Sequence, residues 1–238
     1  MTTVDPVDAL TSGKIAKDDI GKTVYLSNSG TKCQEWRIAD VNHDGTEGMV
    51  DLISKYVLLS SGRSWGSSSQ KPGSYKDSGP FYALQNTVLP YFSKDIKSVM
   101  IEFTVDCDGY YNRFRPNELE YQTTETSKIH IPSITELGYS DGRFLDTSYY
   151  ANYAVKEGTP YPIYDHDSNT NGNALCTCKT SSGGESTYWT RSHLSTNSGN
   201  GLFGQYYIKE DGSYSYYKDF IIDSSNFNTI AIIRFGKQ

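Results

Sequence analysis

The sequence predicts an α+β fold of mostly short antiparallel strands, with one or two helices and long loops. Three observations lead there. The first is the run from Ser186 to the C-terminus. It passes through Tyr188-Trp189-Thr190-Arg191-Ser192, Gly204-Gln205-Tyr206-Tyr207-Ile208 and Asp211-Gly212-Ser213-Tyr214, which reads as short strands parted by Gly, Asn and Asp turns. Its closing segment, Ile230-Ala231-Ile232-Ile233, is apolar without alternation, as a strand covered on both faces must be. The second is composition: only 36% hydrophobic residues but 20 Tyr in 238 residues, which favours strands and polar loops over helical bundles. The third is the scarcity of helical periodicity, with one strong candidate, Pro80 to Met100.

In chain order, Met1 to Lys17 is polar and without aromatics, and reads as an arm ordered against a partner. Lys22–Ser27 and Gln34–Ala39 alternate and flank the turn Asn28-Ser29-Gly30, so they should pair as a hairpin. Met49–Leu59 reads as a third strand. Gly62–Gly79 is a long Ser, Gly and Lys loop holding Trp65, read as an anchor to the body. Ser78 suits the N-cap of the Pro80–Met100 helix and Pro80 its first turn, with Leu84, Val88 and Leu89 on one face. Pro90 should break or kink it, and Ser93–Lys97 starts a second short turn that leads into a strand at Val99–Val105. Asp106–Ser127 reads as polar and irregular. Lys128–Pro132 is a short strand, and Ser133 with Glu136 forms a capping box signature. Asp141–Gly184 reads as irregular and Tyr-rich.

The net charge of −6 argues against nucleic acid and anionic membrane surfaces as partners. No stretch approaches the roughly 18 apolar residues of a membrane span. Met1–Leu10 carries acids and lacks an apolar run, so no secretion signal is read there. The thiols are then expected reduced, in a protein made in a cytoplasm. The abundant Tyr fits two readings, adhesive surface and simple strand propensity.

The sharpest local motif is Asp40-Val41-Asn42-His43-Asp44-Gly45-Thr46-Glu47-Gly48-Met49-Val50-Asp51. Oxygens at positions one, three and five, Gly at six and an acid at twelve match a calcium loop. Its candidate ligands are Asp40, Asn42, Asp44, Thr46 and Asp51, and calcium is the only cofactor expected. The competing reading is a hairpin turn, since Asn-x-Asp-Gly suits one and the flanks read as strands. Asp165–Gly172 is a poorer echo. Cys176-Thr177-Cys178 lacks the spacing of a zinc site and reads as two buried or semi-exposed thiols. Ser192 and His193, adjacent on a strand, point to opposite faces and cannot act together. No Gly-x-Ser-x-Gly elbow, P-loop or dinucleotide fingerprint is present, so no catalytic residue is assigned.

Trp189 and Arg191 lie two apart on a strand and share a face. An Arg there can stack on the Trp, and its fork can tie loop carbonyls to the core. Trp189, Arg191 and Arg234 are therefore expected to organise the fold rather than perform chemistry.

The order of motifs adds a resemblance. It comprises Trp36-Arg37-Ile38, Ala83-Leu84-Gln85-Asn86 with Pro90-Tyr91-Phe92-Ser93, Ile129–Gly138, Thr159-Pro160-Tyr161, Tyr188–Ser192, Gly212-Ser213-Tyr214 and a closing strand with Arg234. This set, over residues 21 to 236, resembles an uncharacterised domain family of phages and prophages of Gram-positive gut bacteria. That family carries Trp-x-Leu-Arg-Ser and Val-Arg-Pro-Ala motifs; here Thr190 stands for the Leu and the Pro-Ala is missing. The family is similar to the C-type-lectin-like fold of phage tropism proteins and formylglycine-generating enzymes. The resemblance implies an N-terminal arm at 1–20 and a single C-type-lectin-like domain at 21–238. It implies a virion surface protein, not an enzyme, decorating a capsid or tail. Its partners would be other virion proteins through the arm, a host-surface glycan or protein, and copies of itself in a homo-oligomer or array. The two alternatives are a calcium-assisted carbohydrate-binding module and a formylglycine-generating type enzyme.

Overall fold

A computed structural model describes residues 6–27, 33–59, 74–112, 115–139, 156–164, 176–195, 203–217 and 227–236. The architecture is α+β, mostly antiparallel strands with few short helices. Its centre is a six-stranded sheet. The strands β1 (Thr23–Ser27), β2 (Cys33–Val41), β3 (Met49–Ser54), β13 (Ile232–Gly236) and β4 (Met100–Ile101) follow in that order, and β7 (Ile129–His130) also pairs with β13. The closing strand is thus inserted between β3 on one side and β4 and β7 on the other, antiparallel to all three. All five of its residues are buried, which is why no polar residue alternates through Ile230–Ile233.

The β1–β2 hairpin forms in the expected place, with Val24 opposite Trp36. Trp36 is fully buried and packs on Phe92. The third strand stops at Ser54, and beyond it Tyr56 and Leu59 make only isolated bridges, to Lys179 and Thr229.

The helical stretch is more broken than its periodicity predicts. Ser78 does cap α2 (Gly79–Ala83), its Oγ accepting from the Phe81 N–H at 3.2 Å. The chain then widens into a π-turn at Leu84–Val88 before α3 (Leu89–Tyr91). Pro90 lacks an N–H and its ring would clash with the carbonyl four residues back, so the wider turn accommodates it. Ser93 caps α4 (Lys94–Val99) through the Ile96 N–H.

Two segments depart from expectation. Residues 6–11 form a helix, α1, whose Leu10 is buried and which packs against α4, β1 and β13. That part of the N-terminal segment is helical and packs on the body; one apolar turn is too short to show a period. Residues 106–127 are not irregular: β5 (Phe103–Asn112) and β6 (Arg115–Ser127) form the longest hairpin. Its Thr, Asp and Glu side chains hid the strand signal, because polar cross-strand pairs such as Thr104 Oγ1 to Thr126 Oγ1 at 2.8 Å replace the apolar alternation. A second layer is the sheet β10 (Tyr188–Ser195), β11 (Phe203–Ile208) and β12 (Tyr214–Tyr217). Strands β8 (Cys178–Lys179) and β9 (Glu185–Ser186) form a small ribbon. Trp65, Tyr149, Tyr150, Tyr153 and the Asp165–Gly172 echo lie outside the described residues. No helix among the described residues is long and apolar enough to cross a membrane.

His130 sits at the seam of these layers, fully buried between Tyr75, Phe81 and Phe103. Its Nε2 lies 2.9 Å from the Phe103 carbonyl, and the Tyr75 hydroxyl faces its Nδ1 at 3.4 Å while accepting from the Ile131 N–H at 2.8 Å. Burial, and then the Arg191 charge, push its pKa down to about 3. The unfolded chain takes up this proton near pH ~6.5, the folded chain only near 3. The neutral form therefore contributes full stability above ~6.5 and loses it as pH falls, at up to about 1.4 kcal/mol per pH unit. In urea titrations, the stability gap between wild type and His130→Gln should narrow as pH drops from about 6.5 to 5. A gap independent of pH would refute this placement of His130.

Candidate functional site

Residues far apart in sequence meet around one cavity of about 410 Å³. It is lined by His43 and Asp44 from the β2–β3 turn, Phe103–Asp106 from β5, Glu136, Lys156, Gly158, Thr159, Tyr161, Arg191 from β10 and Arg234 from β13. The two motif arginines line it, each paired with a carboxylate.

Arg191 is fully buried. Its Nη1 and Nη2 donate to the two Glu136 oxygens at 2.6 and 2.7 Å. The same fork donates from Nε to the Asp106 carbonyl at 2.9 Å and from Nη1 to the Ile131 carbonyl at 2.8 Å. One side chain thus joins β10 to β5 and to the turn after β7. The Ser133–Glu136 capping box supplies its partner. The Ser133 N–H donates to Glu136 Oε2 and the Glu136 N–H to Ser133 Oγ, both at 3.0 Å. The box holds the carboxylate in place for the guanidinium, and burial of the Arg191 charge is outweighed by Glu136, so the arginine stays charged well above its usual range.

Arg234 repeats the arrangement. Its Nε and Nη2 donate to Asp51 Oδ1 and Oδ2 at 2.6 and 2.7 Å, and Nη2 also faces Asp44 Oδ2 at 3.4 Å. The Phe103 ring covers one face of the guanidinium, 4.7 Å away. The Tyr161 hydroxyl donates to Asp51 Oδ2 at 3.1 Å. Burial is the largest influence and opposes the Arg234 charge, but the Asp51 hydrogen bond and charge, with Tyr161 and Asp44, together raise its pKa.

His43 stacks on Tyr161 with ring centres 4.2 Å apart. Its Nδ1 lies 2.7 Å from Asp40 Oδ2 and its Nε2 3.4 Å from Asp44 Oδ1. Burial disfavours its charge, yet the Asp40 hydrogen bond and the fields of Asp51, Asp44 and Glu136 together raise its pKa above the ordinary value.

The candidate calcium loop is the turn between β2 and β3, with Asn42, Asp44, Gly45 and Gly48 all at positive φ. Three of its five candidate ligands, Asp40, Asn42 and Asp51, are engaged by protein groups. Asp40 accepts from the Val41 N–H and faces His43, and Asn42 Oδ1 accepts from the Gly48 N–H at 2.7 Å. Asp51 holds Arg234. Thr46 is exposed beyond the 3-10 turn His43–Gly45. Among the described residues no group of three or more His, Cys, Asp or Glu is placed to hold a metal ion.

Trp189 is fully buried, but its stacking partner is Phe227 at 4.2 Å, with Tyr207 edge-on at 6.2 Å. The β10–β11 register shifts between Trp189 and His193, the stretch that holds Arg191. Ser192 Oγ donates to Glu157 Oε2 at 2.8 Å, while His193 Nδ1 lies 3.5 Å from Asp108 Oδ1. Cys107, Cys176 and Cys178 are buried and not joined in a disulfide, and burial pushes Cys107 and Cys178 up to about 12.

Sequence reasoning placed Arg191, Arg234 and Asp51 but not the pairings between them, and it missed His43, Glu157 and Gly158. Gly158 carries a usable signal only in three dimensions. Its φ is +82°, and a Cβ there would sit 2.7 Å from Glu136 Oε1. Gly158→Ala should therefore push Glu136 off Arg191 and cost about 2 kcal/mol or more, read by chemical denaturation. An unchanged midpoint would show that the carboxylate can give way.

Fold and site together define an α+β module with a polar cavity lined by paired charges. The chain belongs to the family described as a domain of unknown function, DUF6273, which matches residues 47–223. That segment contains Asp51, Glu136, Tyr161 and Arg191. Asp40, Asn42, Asp44, Thr46 and Arg234 lie outside it. No curated protein and no solved structure matches the chain.

Proposed function

We propose that the chain is a contact module on the surface of a phage or phage-like particle, with a C-type-lectin-like domain and a recognition cavity between the two motif arginines. One observation carries this reading. Both arginines are closed into bidentate pairs with buried carboxylates, so the cavity wall is rigid hydrogen-bonding surface rather than a poised nucleophile or base. The high thiol pKa values at Cys107 and Cys178 weigh against thiolate chemistry of the formylglycine-generating type. The ordered motifs of the resembled phage family support the particle setting, and the exposed Tyr25, Tyr82 and Tyr91 suit contact with neighbouring proteins. In this reading the particle would carry many copies on its capsid or tail and meet a host-surface glycan or protein through the cavity.

Mass spectrometry of purified particles tests the setting. The chain should appear among the structural proteins, and its absence from intact particles would refute the assignment. Calcium enters as a separate arm. A calcium-assisted module must free Asp40, Asn42 and Asp51 from their present donors, so saturating calcium would raise the melting temperature if that version holds.

A further inference from the structure

We infer that a second cavity, beside the turn from β11 to β12, takes a trimethylammonium group against Tyr207 and Phe227, next to the Glu210 carboxylate. It shares no lining residue with the cavity of the two motif arginines, and the inference does not rest on the particle setting.

This cavity of about 500 Å³ is lined by Thr187, Tyr207, Lys209, Glu210, Asp211 and Phe227. The backbone fixes each of the three segments that supply them. Tyr207 lies on β11, opposite Trp189 and Ser215. The Asn228 N–H donates to the Thr187 carbonyl at 3.0 Å and the Trp189 N–H to the Asn228 carbonyl at 3.1 Å, which pins Phe227 beside β10. The turn at Lys209–Asp211 is closed by the Lys209 N–H to the Ser213 carbonyl at 2.7 Å and the Gly212 N–H to the Lys209 carbonyl at 2.9 Å. The walls are therefore in place before any ligand arrives.

Phe227 stacks on the fully buried Trp189 with ring centres 4.2 Å apart, and Tyr207 stands against Phe227 at 4.6 Å and 66°. Two rings inclined in this way make a corner. Aromatic faces carry the negative part of the ring quadrupole and attract a cation placed over them. Apart from Thr187, every lining side chain is aromatic or charged, so a wholly apolar ligand finds no matching wall.

Charge selects the same class. Asp211 Oδ1 accepts from the Ser213 Oγ and N–H at 2.6 and 2.8 Å. These bonds, with the Lys209 charge as a smaller contribution, hold the Asp211 carboxyl below the ordinary carboxylate range. Lys209 thus offsets Asp211. Glu210 is exposed, makes no hydrogen bond or ion pair with the described residues, and is left as the excess charge on the rim. An anion would meet two carboxylates and two ring faces. A primary ammonium has three N–H donors that the rings cannot satisfy. A trimethylammonium group has none, and its methyls can bury against both rings.

The test titrates the intact chain with choline and with its uncharged isostere, 3,3-dimethylbutan-1-ol, at constant ionic strength, with sodium acetate as the anion control. Amide NMR of residues 207–211 and the fluorescence of Trp189, stacked behind Phe227, report binding. Choline should give a saturable shift at residues 207–211, and the isostere should bind about tenfold more weakly or not at all, the loss of the cation–π and carboxylate attraction. Tyr207→Leu should weaken choline about tenfold while Tyr207→Phe, which keeps the ring, should not. Glu210→Gln, on an exposed turn where folding is not at risk, should weaken it about threefold. Equal binding of the uncharged isostere, tighter binding of acetate, choline binding indifferent to Glu210→Gln and Tyr207→Leu, or no saturable shift with choline would each overturn the inference.

Discussion

Arg191→Met should be the most damaging single substitution in the cavity wall. The change keeps the volume but removes four donated hydrogen bonds and leaves Glu136, 4% exposed, without its cation. Breaking a buried pair by removing one partner costs about 3–5 kcal/mol. For a chain of this length that corresponds to a fall in Tm of roughly 10 °C. The single variant alone does not separate lost attraction from stranded charge, but the pair Arg191→Met with Glu136→Gln does. The double variant should recover part of the loss, because the second change removes the uncompensated carboxylate. A single variant as stable as wild type would mean that the fork does not tie β10, β5 and the Ser133 turn together.

The second large effect is expected at Arg234→Met, and it has a pH signature. Asp51 is 0% exposed and would keep only the Tyr161 hydroxyl. Stability should fall by about 3–5 kcal/mol at neutral pH. The stranded carboxyl of the variant would hold its proton to higher pH in the folded than in the unfolded chain. The penalty is then largest above the folded-state pKa and shrinks as pH falls toward the ordinary carboxylate value near ~3.9. Unfolding curves at several pH values should therefore show wild type and variant converging in acid, and Asp51→Asn in the Arg234→Met background should remove the pH dependence of the gap. Parallel curves would mean that Asp51 is not the group left unpaired.

The two arginines show why a cavity wall can be built from structural parts. Each guanidinium is fixed by a carboxylate presented on another element, through the capping box at Ser133 in one case and β3 in the other. Neither pair depends on a ligand for its geometry, so the wall is preorganised.

Much of this was legible in the residues alone. The β1–β2 hairpin, the Ser78 cap, the short turn opened by Ser93, the Ser133–Glu136 box and the doubly covered Ile230–Ile233 strand all follow from local rules. Alternation, cap chemistry and turn residues act over three to five positions, and nothing distant overrules them there. The β5–β6 hairpin escaped because both of its strands are polar, and α1 because one buried leucine is no period. Asp51 shows the limit most clearly. In sequence it is the twelfth position of an oxygen-rich loop, and a cation was a fair expectation. In the fold the cation is Arg234, 183 residues away. Spacing can say that a carboxylate needs a positive partner. Only the insertion of β13 beside β3 decided which one, because a buried charge takes the partner that packing brings to it.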